Sequence, residues 1–159
     1  MSATEKGIVF FFRIAMAWKF LYAASHQVFN PQFSVVGFLS HTKTFSGLFS
    51  LFTGPGIAPV TTFLVAYGHL LIGLSLLVGL MVRVSAAFGI LLMLVYWMAH
   101  MDWPYISDTN NFIVDSHIVY AGVLFFLIVR QAGHVWGLDG WIARSRFVEE
   151  RPGLRPLFA

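Results

Sequence analysis

Apolar residues gather into four long runs separated by short polar breaks. The runs cover about residues 7–28, 59–82, 85–101 and 112–130. A helix needs roughly 20 mainly apolar residues to cross ~30 Å of hydrocarbon, and each run approaches that length. Asn30-Pro31 breaks the first run, because the residue before a proline is pushed out of the helical region. Thr53-Gly54-Pro55-Gly56 precedes the second, and Arg83 sits in the tight connection between the second and third. Residues 33–52 mix Phe and Leu with Ser, Thr, His41 and Lys43. Phe38, Leu39, Phe45, Leu48, Phe49 and Phe52 partly follow helical spacing there, which predicts a short helix lying in the interface and not crossing it. The linker MDWPYISDTNN reads as turns. The pattern predicts an all-α membrane protein, a four-transmembrane-helix bundle with one short interfacial helix between spans one and two. Residues 1–159 form a single membrane domain, ending in a tail, 137–159, in which 138–148 form a short surface helix.

Composition reinforces this. The chain of 159 residues is 58% hydrophobic and 11% charged, which excludes an ordinary soluble domain and makes the lipid bilayer the first partner. It has no cysteine, so disulfide relays, iron–sulfur clusters, thiolate zinc sites and c-type haem attachment lie outside its own chemistry. A net charge of +3 gives no argument for nucleic acid. Arg13 and Lys19 interrupt the first run, which therefore reads as a retained span and not a cleaved leader. With four spans, Lys6, Arg83, Arg130 and the arginines 144, 146, 151 and 155 share one side, while Asp102, Asp108 and Asp115 share the other. The excess of basic residues places both termini and the tail in the cytoplasm of a multi-pass plasma-membrane protein.

Ionisable residues inside such a bundle are the functional candidates, because each costs roughly 2.5–3.5 kcal/mol to insert. Lys19 lies mid-span, with Tyr22, Ala23 and His26 at offsets of three, four and seven. His69 lies near the middle of span two. His100 closes span three one turn after Tyr96, and His117 opens span four one turn before Tyr120. Depth places His26, His100, Asp115 and His117 at one outer level, with Lys19 and His69 deeper. Facing side chains build the sites of helical bundles, so an outward-facing polar pocket is expected, with a positive floor and imidazole walls. Arg13 reads as a snorkelling anchor.

A buried ammonium among imidazoles suits a small anion or a quinone carbonyl, with histidine passing protons and the cation stabilising charge on oxygen. Quinone as electron acceptor is the leading expectation. Bis-histidine haem ligation, for instance by His26 with His117, is a second possibility, and a His/Asp metal site near the outer face a third.

Three stretches carry a family resemblance. NNFIVDSHIVYAGVLFFLIVRQAGHVWGLDGW resembles the last span of DoxX/DoxD-type membrane proteins. YGHLLIGLSLLVGLMVRVSAAFG resembles the second span, turn and third span of that group. RIAMAWKFLYAASHQVF, followed by GFLS and TGP, is similar to its first span. The group includes the integral subunit of archaeal thiosulfate:quinone oxidoreductase. The resemblance implies a membrane subunit that passes electrons from thiosulfate to quinone, yields tetrathionate, and works with a second protein subunit. The best matches to the polar positions of the family are Arg83, Asp115 and His117. Many members carry an acidic residue near the position of His69, so the histidine here changes the charge of the pocket. The catalytic set expected on these grounds is His117, Asp115 and Lys19. Substrate or quinone contacts are expected from His26, His69, Tyr96, His100, Tyr120 and Arg83. A non-catalytic accessory or anchoring subunit of a larger membrane complex is the alternative: no redox-cofactor motif is present, and the small residues Ala66, Gly73, Ala86 and Ala87 suit helix packing, with a second protein subunit or a homo-oligomer as the partner.

Overall fold

The computed structural model describes residues 1–158, apart from the side chains of Phe147 and Pro152, and Ala159 lies outside the described residues. Helix α1 (Ala3–Val28) starts at a reciprocal cap: the Ser2 hydroxyl accepts the Glu5 N–H while the Glu5 carboxylate accepts the Ser2 N–H. It buries Val9, Arg13, Met16, Ala17, Phe20 and Ala24, a stripe at three- and four-residue intervals. Two short helices follow, α2 (Val36–Leu39) and α3 (Ser46–Ser50). Then come α4 (Ala58–Val78) and α5 (Val82–Ala99). Helices α1, α4 and α5 are long and apolar enough to cross a membrane. Helix α6 (Ser116–Val129) is apolar but has 14 residues, about 21 Å at 1.5 Å per residue.

Four helices pack into one bundle. α1 lies along α4, and α5 along α6. The α1–α4 approach is close: a Cβ added to Gly73 would sit 2.7 Å from Cγ of Leu21. α1 and α6 touch far more sparsely. The core joins Val9, Met16, Phe20, Ile72, Leu76, Ala86, Leu124 and Leu127.

Several boundaries depart from the sequence expectation. The second helix stops at Val78 and not at residue 82, because Gly79 takes a left-handed conformation (φ 70°) that terminates it. Helix α5 then begins at Val82, so Arg83 belongs to its first turn and not to the connection. No local side chain caps α5. Asp139, 57 residues further on, accepts the Met81 and Val82 N–H groups at 2.6 and 3.0 Å. The fourth helix starts at Ser116 and not at residue 112, with Asp115 as its N-cap accepting the His117 and Ile118 N–H groups.

The linker expected as turns is a small antiparallel sheet, β1 (Met101–Asp102), β2 (Tyr105–Ile106) and β3 (Asp108–Phe112), in the order β1-β2-β3. Met101 and Ile106 face inward and are buried, while Asp102 and Tyr105 face outward; two-residue strands are too short for that alternation to show in a sequence. The single interfacial helix expected over residues 33–52 is two short ones. Val35, Leu39 and Phe49 pack with Ala99 into a second apolar cluster. The tail holds α7 (Leu138–Ile142) and α8 (Arg146–Glu149), where one helix was expected.

Arg13 does not snorkel. It is 1% exposed, and its guanidinium donates to the carbonyls of Ala132 and Val135 at 2.7 Å and of Trp136 at 3.2 Å. It ties α1 to the chain that returns after α6. Ala132 opens a 3-10 turn and its carbonyl also accepts the Val135 N–H at 3.2 Å, while the carbonyls of Val135 and Trp136 follow that turn.

Candidate functional site: a polar pocket between four helices

A cavity of about 220 Å³ opens in the half of the bundle nearer the sheet. Helix α1 lines it with Lys19, Phe20, Ala23 and Gln27, at offsets of zero, one, four and eight, one stripe of a helix. His69 comes from α4, Met93 and Tyr96 from α5, and Ser116, His117 and Tyr120 from α6. Lys19, His69, His117, Tyr96 and Tyr120 thus share one hollow.

Tyr96 is its hub. The His69 ring lies 5.7 Å from it, and the His117 ring stacks on it at 5.7 Å with 7° between the planes. His100 stacks on His117 at 5.0 Å and meets Phe38 of α2 at 4.8 Å with the rings tilted by 45°. His100 therefore backs the wall of the cavity through His117. His69 also meets Phe20 at 5.7 Å.

Each of these imidazoles is tethered through Nδ1. His69 donates to the Val65 carbonyl and His100 to the Tyr96 carbonyl, both at 2.8 Å. A carbonyl can only accept, so the neutral ring carries its proton on Nδ1 and a lone pair on Nε2. Nδ1 of His117 faces the Asp115 carboxylate at 2.5 Å, and that carboxylate is itself buried. A carboxylate there fixes the orientation of the ring through Nδ1 and leaves Nε2 as its free nitrogen. Asp115 is held in place from the neighbouring strand end: Trp97 donates its indole N–H to the Ile113 carbonyl at 2.7 Å.

Lys19 is the remaining charge. It is solvent-accessible at the edge of the cavity, and its ammonium lies 5.3 Å from the centre of the Tyr120 ring. Among the described residues no carboxylate pairs with it. Gln27, which the sequence reading passed over, closes the far wall; its side-chain oxygen is buried without a hydrogen-bond donor. The offset of eight from Lys19 was the available signal. Of the offsets three, four and seven from Lys19, only the offset of four, Ala23, reaches the cavity, while Tyr22 and His26 lie on the outer surface.

Two expected members are elsewhere. His26 is exposed, bonded to the Tyr22 carbonyl at 2.9 Å and resting on the Tyr22 ring. It lies on the outer surface of α1, which also removes the His26–His117 pair for haem. The face-to-face stacking of His100 on His117 does not fit axial haem ligation either, since two axial rings must aim their nitrogens at one iron. Arg83 is exposed at the opposite end of the bundle, beside the α4–α5 turn. Among the described residues no three His, Cys, Asp or Glu side chains converge as a metal site would need, so the His/Asp metal alternative lacks its ligands.

The fold and site define a small helical membrane protein with a tethered-imidazole pocket in its bundle. The family model described as DoxX matches residues 8–101, and the chain belongs to the DoxX family. That match contains Lys19, His69, Tyr96 and His100 but stops before Asp115, His117 and Tyr120. No curated protein and no solved structure matches the chain.

Proposed function

We propose that the chain is the integral membrane subunit of a quinone-linked oxidoreductase, and that the pocket receives the quinone head group. In this reading α6 is the fourth span, completed by the turns that follow it. The basic residues of the α4–α5 turn and tail lie in the cytoplasm, and the sheet faces outward from the plasma membrane. The observation that carries the proposal is the meeting of one ammonium, two cavity-lining imidazoles and two tyrosines in a single hollow. A quinone oxygen beside Lys19 gains negative charge on reduction, and the ammonium stabilises it. The second oxygen, beside His117, receives a proton from Nε2 while Asp115 holds the ring.

Thiosulfate is the donor we favour, on the family resemblance. Two thiosulfates joining into tetrathionate release two electrons, and the quinone takes these with two protons to become quinol. A second protein subunit would complete the enzyme. Quinone reduction by thiosulfate in proteoliposomes tests this. Lys19→Met and His117→Ala are expected to lower the rate at least tenfold each, and normal rates in both would remove the site. One observation favours an accessory, non-catalytic subunit instead: about 220 Å³ is smaller than the several hundred Å³ usual for a ligand pocket. Co-purification with a stoichiometric partner and no quinone binding would favour that reading.

A further inference from the structure

We infer that the pocket is entered sideways from the bilayer, through the seam between α1 and α6. The molecule it admits leaves a hydrocarbon tail in lipid and brings only an oxygen-bearing head to Lys19. This rests on the reading of the pocket as a head-group site, and adds the route and the ligand class.

The seam is the weak contact of the bundle. α1 and α6 meet through Phe12 and Phe126, with ring centroids 6.1 Å apart, and through the Glu5–Arg130 ion pair. Both contacts lie toward the α4–α5 turn. Nearer the sheet, Lys19 over Tyr120 is the cross-seam contact. Lys19 lines the cavity and is nevertheless exposed, so the cavity reaches the bundle surface at that point.

The level is wrong for a lipid phosphate. Nine residues separate Lys19 from the end of α1 at Val28, roughly 13 Å of helix rise. Lys19 shares the cavity with His69 and Met93, from the middle of α4 and the outer half of α5. An ammonium at that depth with no carboxylate partner needs an oxygen brought to it. The lone pair on Nε2 of His69 needs the opposite, a donor. A head bearing both an accepting oxygen and a hydroxyl satisfies both sets, as a quinol or a carboxylic acid does. The small volume fits a head alone.

A rival route borders the pocket. A groove of about 550 Å³ lies between the end of α1, the chain before α2 and the start of α4, lined by Phe33, Pro55, Thr62 and Phe63 among others. It shares Gln27 with the pocket, and Gln27 stands as the wall between them.

The test uses the full chain in phosphatidylcholine nanodiscs and two probes, a decyl-tailed benzoquinone and hexadecanoic acid, each with a diazirine midway along the tail. After illumination the cross-links are mapped by mass spectrometry. Side access predicts tail cross-links on α1 and α6 around Lys19 and Tyr120. Ala23→Phe, which adds bulk to the α1 wall of the cavity, is expected to reduce them at least tenfold, and Val60→Phe, exposed on α4 away from both hollows, to leave them. Helical circular dichroism on heating reports whether each variant folds. Cross-links concentrated on Phe33, Pro55 and Phe63 would overturn the proposal, as would no specific labelling by either probe. If the fatty acid labels the seam and the quinone probe does not, side access stands and the quinone reading falls. If the quinone binds but labels only outside the seam, side access falls and the quinone reading stands.

Discussion

Two cations on α1, Arg13 and Lys19, sit within two turns of each other and meet opposite fates. Arg13 is closed in at the end of the bundle by the α4–α5 turn, with three backbone carbonyls on its guanidinium. The neighbouring Asp139 is equally committed, taking two N–H groups at the start of α5. At that end the two terminal nitrogens of the guanidinium and both oxygens of the carboxylate are spent on backbone groups. Lys19 has a ring beneath it, no carboxylate beside it and a cavity in front of it. A charge within a membrane helix is therefore no evidence of function by itself. What distinguishes the functional one is unused bonding capacity next to space.

The largest effect expected from this contrast is at Arg13. Arg13→Met strips the donor from two buried carbonyls and one part-buried one, a loss of about 1–3 kcal/mol for each buried group left unsatisfied. Unfolding in detergent, followed by circular dichroism, measures it. Lys19→Met is expected to shift that unfolding by no more than about 0.5 kcal/mol, while quinone binding weakens at least tenfold. If both variants lose stability equally, the contrast fails.

Asp115 separates two roles of one side chain. Asp115→Ala removes the cap of α6 and is expected to cost about 1 kcal/mol. Asp115→Asn keeps a capping oxygen, so stability should hold within about 0.5 kcal/mol, but His117 loses its anionic partner and quinone reduction slows. Equal rates in the wild type and Asp115→Asn would remove the carboxylate from the chemistry. The smallest effects belong to His26→Ala and Arg83→Ala. Both side chains are exposed away from the pocket, and each change is expected to alter stability by less than about 0.5 kcal/mol and binding not at all.

The long apolar helices were legible in the sequence, because hydropathy and run length mark them, and residue count along each helix gives the height of Lys19, His69 and His117 within the bundle. Azimuth was not. His26 and Gln27 are adjacent, and only packing against α4 and α6 decides that Gln27 faces inward. Arg83 stood out as a charge, yet charge says nothing of which end of the bundle holds the cavity. Asp139 capping α5 across 57 residues, and the inward turn of Met101 and Ile106, depend on tertiary contacts that no local pattern carries. His100 joins the wall only because the stack on His117 brings the end of α5 against the start of α6.

The central claim is that imidazoles from separate helices serve one ligand. Nitrogen NMR of the protein labelled at histidine, in nanodiscs titrated with decyl-tailed benzoquinone, tests this most directly. The account predicts that the Nε2 signals of His69 and His117 move together, with one midpoint that Lys19→Met shifts at least tenfold, while His26 stays still. Signals of His69 and His117 that move at different midpoints, or that do not move at saturation, would contradict it.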